Sequence, residues 1–504
     1  MRRRALRAAL VPLALLALLA VPGVASADSL KAAQEGVLGE TVPLNTMWVL
    51  VAAILVLFMQ AGFALLEIGF SRAKNAGTGI AKILTNLSIA AVAYYAVGFA
   101  FAFGTGSSEG DLIGTTGFLL QGFGDPQEAF FPSGLGLSDA TIEAKWLFQF
   151  AFCAVSLAIV WGTTLERIKY SAYVVYAIVF AAVIYPIGSH WVFGGGWLQS
   201  NLGMQDFAGS TAVHLIGATG AFAALLLLGP RKGKYGPDGR PRAIPGHSMP
   251  LVGLGIVILF IGWFGFNAGS TLNATDGRFA EVAMVTLLGA AAGVLGAFAS
   301  TLAFQRTIDI GMVGNGMIAG LVGITAPSGY VEAWAALPIG LVAGLIVVAG
   351  VIMIDKKLDD PVGALSAHGL AGIWGTLACG IFTAPRFADY NAFGEAGLVY
   401  NGSFDQLGTQ ALGVVTVFAF VFLLSIATFA AIKATIGLRV TEEQEDAGLD
   451  IVEHGMYGYP EQFIPAPEIG AASTGPAAPA YAGGAASPVT AMRADAPATG
   501  GARA

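Results

Sequence analysis

Two histidines in this 504-residue chain stand in the same local pattern. Asp206-Phe-Ala-Gly209-Ser-Thr-Ala-Val-His214 and Asp360-Pro-Val-Gly363-Ala-Leu-Ser-Ala-His368 both read D-x-x-G-x-x-x-x-H. Each leads into an apolar run, so each places an imidazole within a hydrophobic segment. An ionisable side chain there is rare and usually faces a pathway or a partner. Two neutral imidazoles that meet can donate or accept a proton. Two ligands are too few for a closed zinc site, and no third Cys, His or carboxylate stands at suitable spacing. Cys153 and Cys379 lie in apolar stretches and read as small buried hydrophobes. No nucleophile–base pair, P-loop or dinucleotide fingerprint is present. Gly194-Gly195-Gly196 has no strand before it. The chemistry is that of a conduit, not an enzyme, and it calls for no cofactor.

Aromatic residues gather on two other runs. Phe148 and Phe152 are four apart and share a helix face, preceded by Trp146. Trp263-Phe-Gly-Phe266 ends in Asn267-Ala-Gly-Ser270. Aromatic faces attract a small cation by about 0.5–2 kcal/mol each. Aromatics on such runs also pack against lipid or sit in interface belts, the reading preferred for Trp146. A cage of this kind above neutral histidines suits a small cation that can shed a proton, because a bare charge at the bilayer centre costs several kcal/mol. Ammonium fits, and the residues alone equally admit a methylamine or another small cation.

The elements that position these groups are membrane spans. The chain is 56% hydrophobic and 11% charged, with mean hydropathy +0.72; a soluble domain is about 25% charged. A crossing helix needs about 20 apolar residues. Eleven runs qualify: 45–70, 78–104, 145–165, 170–192, 210–229, 249–270, 279–304, 311–327, 333–354, 363–384 and 408–436. The eighth is short and Gly-rich. Eleven resolves into five, five and one, with the histidine pattern opening the fifth and tenth. A five-span unit has odd parity, so its second copy is inverted, a common transporter plan. The predicted fold class is an all-α integral membrane protein of eleven transmembrane helices, a 5+5 inverted repeat plus one.

Arg2, Arg3, Arg4 and Arg7 precede the apolar run Ala8–Ala20, and Ala25-Ser26-Ala27 follows. That layout predicts a signal peptide over 1–27 and an extracytoplasmic segment over 28–44. Its removal would take the net charge from −7 to about −11. With the N-terminus outside, Lys and Arg number fifteen on the inward side and four on the outward side. The C-terminus is then cytoplasmic and the protein multi-pass in the cell inner (plasma) membrane. The outward loops carry Glu109, Asp111, Asp125, Glu128, Asp139 and Glu143. An acidic chain without a basic cluster argues against nucleic acid. Membrane domain 45–437 is followed by an acidic segment over 438–468 and an Ala/Pro/Gly-rich tail over 469–504 that reads as disordered.

The chain strongly resembles the ammonium transporter (Amt/Mep/Rh) family, in its bacterial Amt branch, over about residues 45–465. The resemblance is carried by Phe148-Gln-Phe-Ala-Phe152, Leu165-Glu-Arg-Ile168, the two Asp-to-His segments, Gly262-Trp-Phe-Gly-Phe-Asn-Ala-Gly-Ser270, Gly437-Leu-Arg-Val440, Glu442-Glu-Gln-Glu445, Gly448-Leu-Asp450 and His454-Gly455. It implies a homotrimer with one pore per subunit. Phe152 and Phe266 match the stacked gate. Phe148, Phe152 and Ser270 match an outer recruitment site, supported by the buried Asp206. His214 and His368 match the twin pore histidines, and Trp263 a pore-wall tryptophan. One position departs from the pattern: Phe193 stands where the family often has a tryptophan, so either Phe193 or Trp191 completes the cage. A cytoplasmic PII signalling protein is the partner the family implies for the C-terminal face. The function implied is ammonium recruitment, deprotonation and conduction of ammonia past the histidines, with or without the proton. A sensor signalling through its tail, or an Rh-type neutral gas channel, is the alternative.

Overall fold

The computed structural model describes residues 41–104, 110–121 and 140–463. The predicted signal peptide, residues 28–40 of segment 28–44, residues 464–468 of segment 438–468, the tail over 469–504 and the acidic residues Glu109, Asp125, Glu128 and Asp139 lie outside the described residues.

Ten long apolar helices and one shorter one run through the described residues: α1 (Thr41–Phe70), α2 (Ala73–Phe103), α3 (Ile142–Thr163), α4 (Tyr170–Ser200, interrupted at Gly194–Gly196), α5 (Ser210–Leu228), α6 (Met249–Ala268), α7 (Arg278–Gln305), α8 (Ile310–Thr325), α9 (Ala333–Ile354), α10 (Leu365–Phe382) and α11 (Asp405–Thr435). The chain is an all-helical, multi-pass membrane protein. Large apolar side chains such as Phe58, Leu84, Leu295, Met353 and Leu423 are exposed around the bundle. Water would not tolerate so much apolar surface, whereas lipid does. α8 is short, as its glycine content predicts, and starts where the Asp309 carboxylate accepts the Met312 N–H at 2.9 Å.

Burial separates the centre from the rim. In their most apolar windows α3 buries 89% and α5 83% of residues, against 28% for α11. α11 lies against α4, α5 and α10 and faces outward elsewhere. The central helices therefore carry the inward-facing chemistry.

The two Asp-to-His segments take one local geometry. Asp206 Oδ1 accepts the N–H groups of Gly209 (2.8 Å) and Ser210 (2.9 Å), and Oδ2 those of Thr211 (2.8 Å) and Ala212 (2.9 Å). Asp360 accepts from Gly363 (3.1 Å) and Leu365 (2.8 Å). Folding the first turn back onto its own carboxylate requires positive φ at the fourth residue, +115° at Gly209 and +75° at Gly363. Both helices then open with a six-residue π turn, Ser210–Leu215 and Leu365–Leu370, that carries the histidine. Asp206 lies beside the aromatic cavity described below, and Asp359 pairs with Arg231 at the opposite end of the bundle. The two copies thus run in opposite directions.

At that opposite end, residues 438–463 dock on the bundle. Val440 N–H donates to Arg167 O (3.1 Å), and Lys169 N–H to Leu438 O (3.0 Å). Glu442–Ala447 is a short helix with a Thr441–Gln444 capping box. Asp450 accepts the N–H groups of Gly77 (2.9 Å) and Thr78 (2.8 Å) at the start of α2. The segment is an ordered clasp rather than a solvated tail.

Candidate functional site

A cavity of about 60 Å³ opens between the ends of α3, α4, α6 and α7. Phe148, Phe152, Phe193, Asp206 and Ser270 line it. Ser270 follows the π turn Phe264–Ala268 and donates its hydroxyl hydrogen to Phe266 O at 2.7 Å. Its oxygen lone pairs remain available to a cationic donor. Phe193, not Trp191, reaches the cavity. Trp191 turns away, its indole N–H donating to Leu112 O at 2.8 Å and its ring packing on Phe420. Arg278, Tyr330 and Tyr390 also line the mouth and were missed by sequence reasoning, since they come from the start of α7, a loop and the short helix Pro385–Asn391 between spans.

The cavity floor is closed by two rings. Phe152 and Phe266 stack with centroids 4.0 Å apart and planes at 15°. Phe266 in turn lies 5.4 Å from the His214 ring, and Trp263 5.2 Å from it on the same stack. The Trp263 indole is fixed by donation to Thr325 Oγ1 at 2.9 Å. Thr325 is a further residue that the sequence did not single out. Behind the stack, His214 and His368 face each other with Nδ1 atoms 3.2 Å apart. His214 is fully buried, and no protein group bonds its Nε2.

His368 lines a second cavity, of about 20 Å³, with Phe63, Glu67, Asn315 and Val362. It is large enough for one water or a molecule of that size. The connected series is therefore aromatic cavity, stacked phenylalanines, His214, His368 and inner cavity. His190 takes no part: its Nδ1 bonds Ala102 O at 2.9 Å. Among the described residues, no three His, Cys, Asp or Glu side chains cluster to hold a metal.

The Leu165–Ile168 motif has a different task. Glu166 accepts the Arg72 backbone N–H (2.6 Å) and Nε–H (2.7 Å). Asp359 receives a two-pronged bond from Arg231, at 2.9 Å each, and Arg167 donates to Asp359 O at 2.7 Å. Burial alone would raise the Asp359 carboxyl, but the Arg231 bonds and the Arg167 charge outweigh it and hold it down to about 2. Burial opposes ionisation of Glu166 too, and the Arg231 and Arg72 guanidinium groups overcome it, lowering its pKa. This cluster pins four loops at the end where the clasp docks.

Comparison with known proteins agrees with the geometry. Residues 47–459 match the model of the Ammonium Transporter Family. Ammonium transporter Amt2 of Archaeoglobus fulgidus is 44% identical over 430 residues, 83% of this chain and 88% of that protein. A solved structure titled Sensor Amt Protein is 35% identical with TM-score 0.73, covering 82% of this chain and 99% of that one. Candida albicans Mep2 is 28% identical with TM-score 0.70, covering 79% and 86%.

Proposed function

Since the chain belongs to the ammonium transporter family and is an ammonium transporter, we propose that it recruits ammonium at the aromatic cavity, strips its proton there and conducts ammonia past His214 and His368. The observation that carries this is the histidine pair lying directly behind the Phe152–Phe266 stack. The rings of Phe148, Phe152 and Phe193 offer their faces to the cation, and Ser270 Oγ accepts one of its N–H bonds. Asp206 does not touch the ion. Saturated by four backbone donors, it holds the start of α5 in place and adds negative potential to the cavity wall. The stacked phenylalanines must part for passage, and they admit a neutral molecule at far lower cost than a cation. The imidazoles then offer ammonia hydrogen bonds in place of water.

The excess of Lys and Arg on the clasp side supports a cytoplasmic location for it, the aromatic cavity outside, and insertion in the plasma membrane. Residues 45–437 then form the transport domain and 438–468 a regulatory segment. The C-terminal motifs favour the bacterial Amt branch. Three copies per assembly, each with its own pore, and a PII protein docking on the clasp face follow from the same resemblance. Methylammonium is a second substrate of this reading.

A second reading, an ammonium sensor, is favoured by the likeness to the structure titled Sensor Amt Protein. Proteoliposomes given an ammonium pulse separate the two. Inward current altered in His214→Ala marks electrogenic transport along the histidine path. Internal alkalinisation without current marks neutral ammonia conduction. Neither signal in well-reconstituted protein defeats transport and leaves the sensor.

A further inference from the structure

Among the described residues, the buried carboxylates at the ends of the conduit are bonded by the protein, Glu166 by Arg72 among them. Asp206 accepts four backbone N–H groups, and Asp359 accepts an arginine fork. Glu67 on α1 differs. It is 1% exposed, and neither oxygen receives a hydrogen bond from the protein. Native structures seldom leave buried polar groups without partners, and exceptions tend to mark function. A carboxyl serving only to hold the fold would be bonded as Asp206 is.

Glu67 lines the inner cavity together with His368 and Asn315. That cavity shares no lining residue with the aromatic cavity, and the histidine pair stands between them. Gly162 keeps the carboxyl's side open. A Cβ there would lie 2.8 Å from Val362 Cγ2 and 3.7 Å from Glu67 Oε1. Asn315 is turned to donate to Val362 O at 3.0 Å, which leaves Glu67 and His368 as the ionisable groups on the cavity wall.

The charged group acting on Glu67 is Lys82 of α2, also fully buried and with an Nζ that no protein acceptor bonds. Tyr173 of α4 is the other titratable group within electrostatic reach, and its hydroxyl donates to Lys82 O at 2.5 Å. Arg167, Glu166 and Glu453 act on Lys82 from the clasp side. A lone carboxylate at this depth would cost several kcal/mol. An unbonded carboxyl on the wall of an open cavity beside His368 has the geometry that a proton-exchanging group requires.

We propose that Glu67 is a proton-exchanging residue of the conduit, placed after the histidines, which returns ammonia to ammonium. Ammonia leaving His368 takes the proton of the Glu67 carboxyl and departs as ammonium. The carboxylate left behind, steadied by Lys82, regains a proton from water on the clasp side. One proton is given and one recovered, so the residue turns over. The inference rests on the reading that ammonia is the species passing the histidines.

The test is ammonium-driven flux in proteoliposomes, read as current and lumenal pH over a series of lumenal pH values, in water and in deuterium oxide. Wild type, Glu67→Gln, Glu67→Asp and Lys82→Met are compared, with monodisperse elution and thermal melting checking each fold. Expected is a fall of roughly ten-fold or more in Glu67→Gln, with the lumenal-pH dependence flattened and the solvent isotope effect lost, and substantial recovery in Glu67→Asp. Wild-type flux and pH profile in Glu67→Gln would overturn the inference alone. So would equal losses in all three variants with the profile unchanged in shape, the outcome of a purely structural role. A wild type that moves no ammonium overturns the transport reading and this inference with it.

Discussion

His214 and His368 approach Nδ1 to Nδ1 at 3.2 Å, with ring planes 19° apart. Only one proton fits between two such nitrogens, so one Nδ1 donates and the other accepts. The ring that donates through Nδ1 keeps a bare Nε2, and its partner carries N–H at Nε2. The pair therefore shows the path one acceptor and one donor at any moment, and exchanging the shared proton reverses them. His214→Ala removes this reciprocity. The expected result is a loss of ammonium-evoked current of about ten-fold or more. Because His214 lies below the stacked phenylalanines, ammonium binding at the aromatic cavity should persist, measured by thermal stabilisation of detergent-solubilised protein.

Asp206→Asn replaces two acceptor oxygens with one oxygen and an NH2 group. The amide would face backbone donors of Thr211 and Ala212, or of Gly209 and Ser210, with a donor of its own. Leaving two buried N–H groups unpaired costs about 2–3 kcal/mol. A lowered melting temperature and impaired flux are expected together, since the turn being held opens the helix that carries His214. Unchanged melting would contradict the structural role assigned to this carboxylate.

That turn also explains what the sequence discloses and what it conceals. The D-x-x-G-x-x-x-x-H repeat was legible because a carboxylate capping its own following turn needs glycine at positive φ, and both requirements restrict residue type. The π turns at Phe264–Ala268, Ser210–Leu215 and Leu365–Leu370 restrict no residue type and left no trace, yet they carry Phe266, His214 and His368. Phe193 and Trp191 could not be ranked from spacing, because both end the same helical stretch two residues apart, on nearly opposite faces, and only packing decides which face meets the cavity. Glu67 and Lys82 were visible as charges in apolar helices, but only packing separates an unbonded carboxyl from a saturated one.

Ser270→Ala removes the acceptor facing the cavity while leaving the aromatic rings in place. A hydrogen bond from a charged donor is worth about 1.5–3 kcal/mol. The ammonium concentration for half-maximal flux should rise by roughly ten-fold or more, and Ser270→Thr, which keeps the hydroxyl, should restore most of it. Equal affinity in Ser270→Ala would remove this residue from the recruitment site.

The Asp359 carboxyl, held at about 2 by Arg231 and Arg167, makes the clasp end acid-sensitive. Its ordinary value is about 3.9. Because the folded value is depressed, the stabilisation is fully present above about pH 4 and is lost as pH falls through about 2. Wild-type protein should lose melting temperature across that window. Asp359→Asn strands the buried Arg231 and Arg167 charges, so it should be destabilised by about 3 kcal/mol near neutral pH. Its own melting should lack the Asp359 part of the acid drop. An identical acid profile in the two proteins would refute this account.

Phe193 sets how strongly the outer cavity holds a cation. Its ring lines the cavity where an indole would present a larger and more electron-rich face. Phe193→Trp should gain about 0.5–1 kcal/mol of cation–π attraction, a roughly two- to five-fold lower half-saturating ammonium concentration. Phe193→Ala should shift it the other way by a similar factor. Maximal flux should change little in the alanine variant, because the barrier at the Phe152–Phe266 stack and the histidines is untouched. Trp191→Phe serves as the contrast: its indole N–H bonds Leu112 O, away from the cavity, so its loss should lower stability and leave affinity alone. If Trp191→Phe weakens ammonium binding while Phe193→Ala does not, the cage is completed by Trp191, and the ring orientations described above do not govern recruitment.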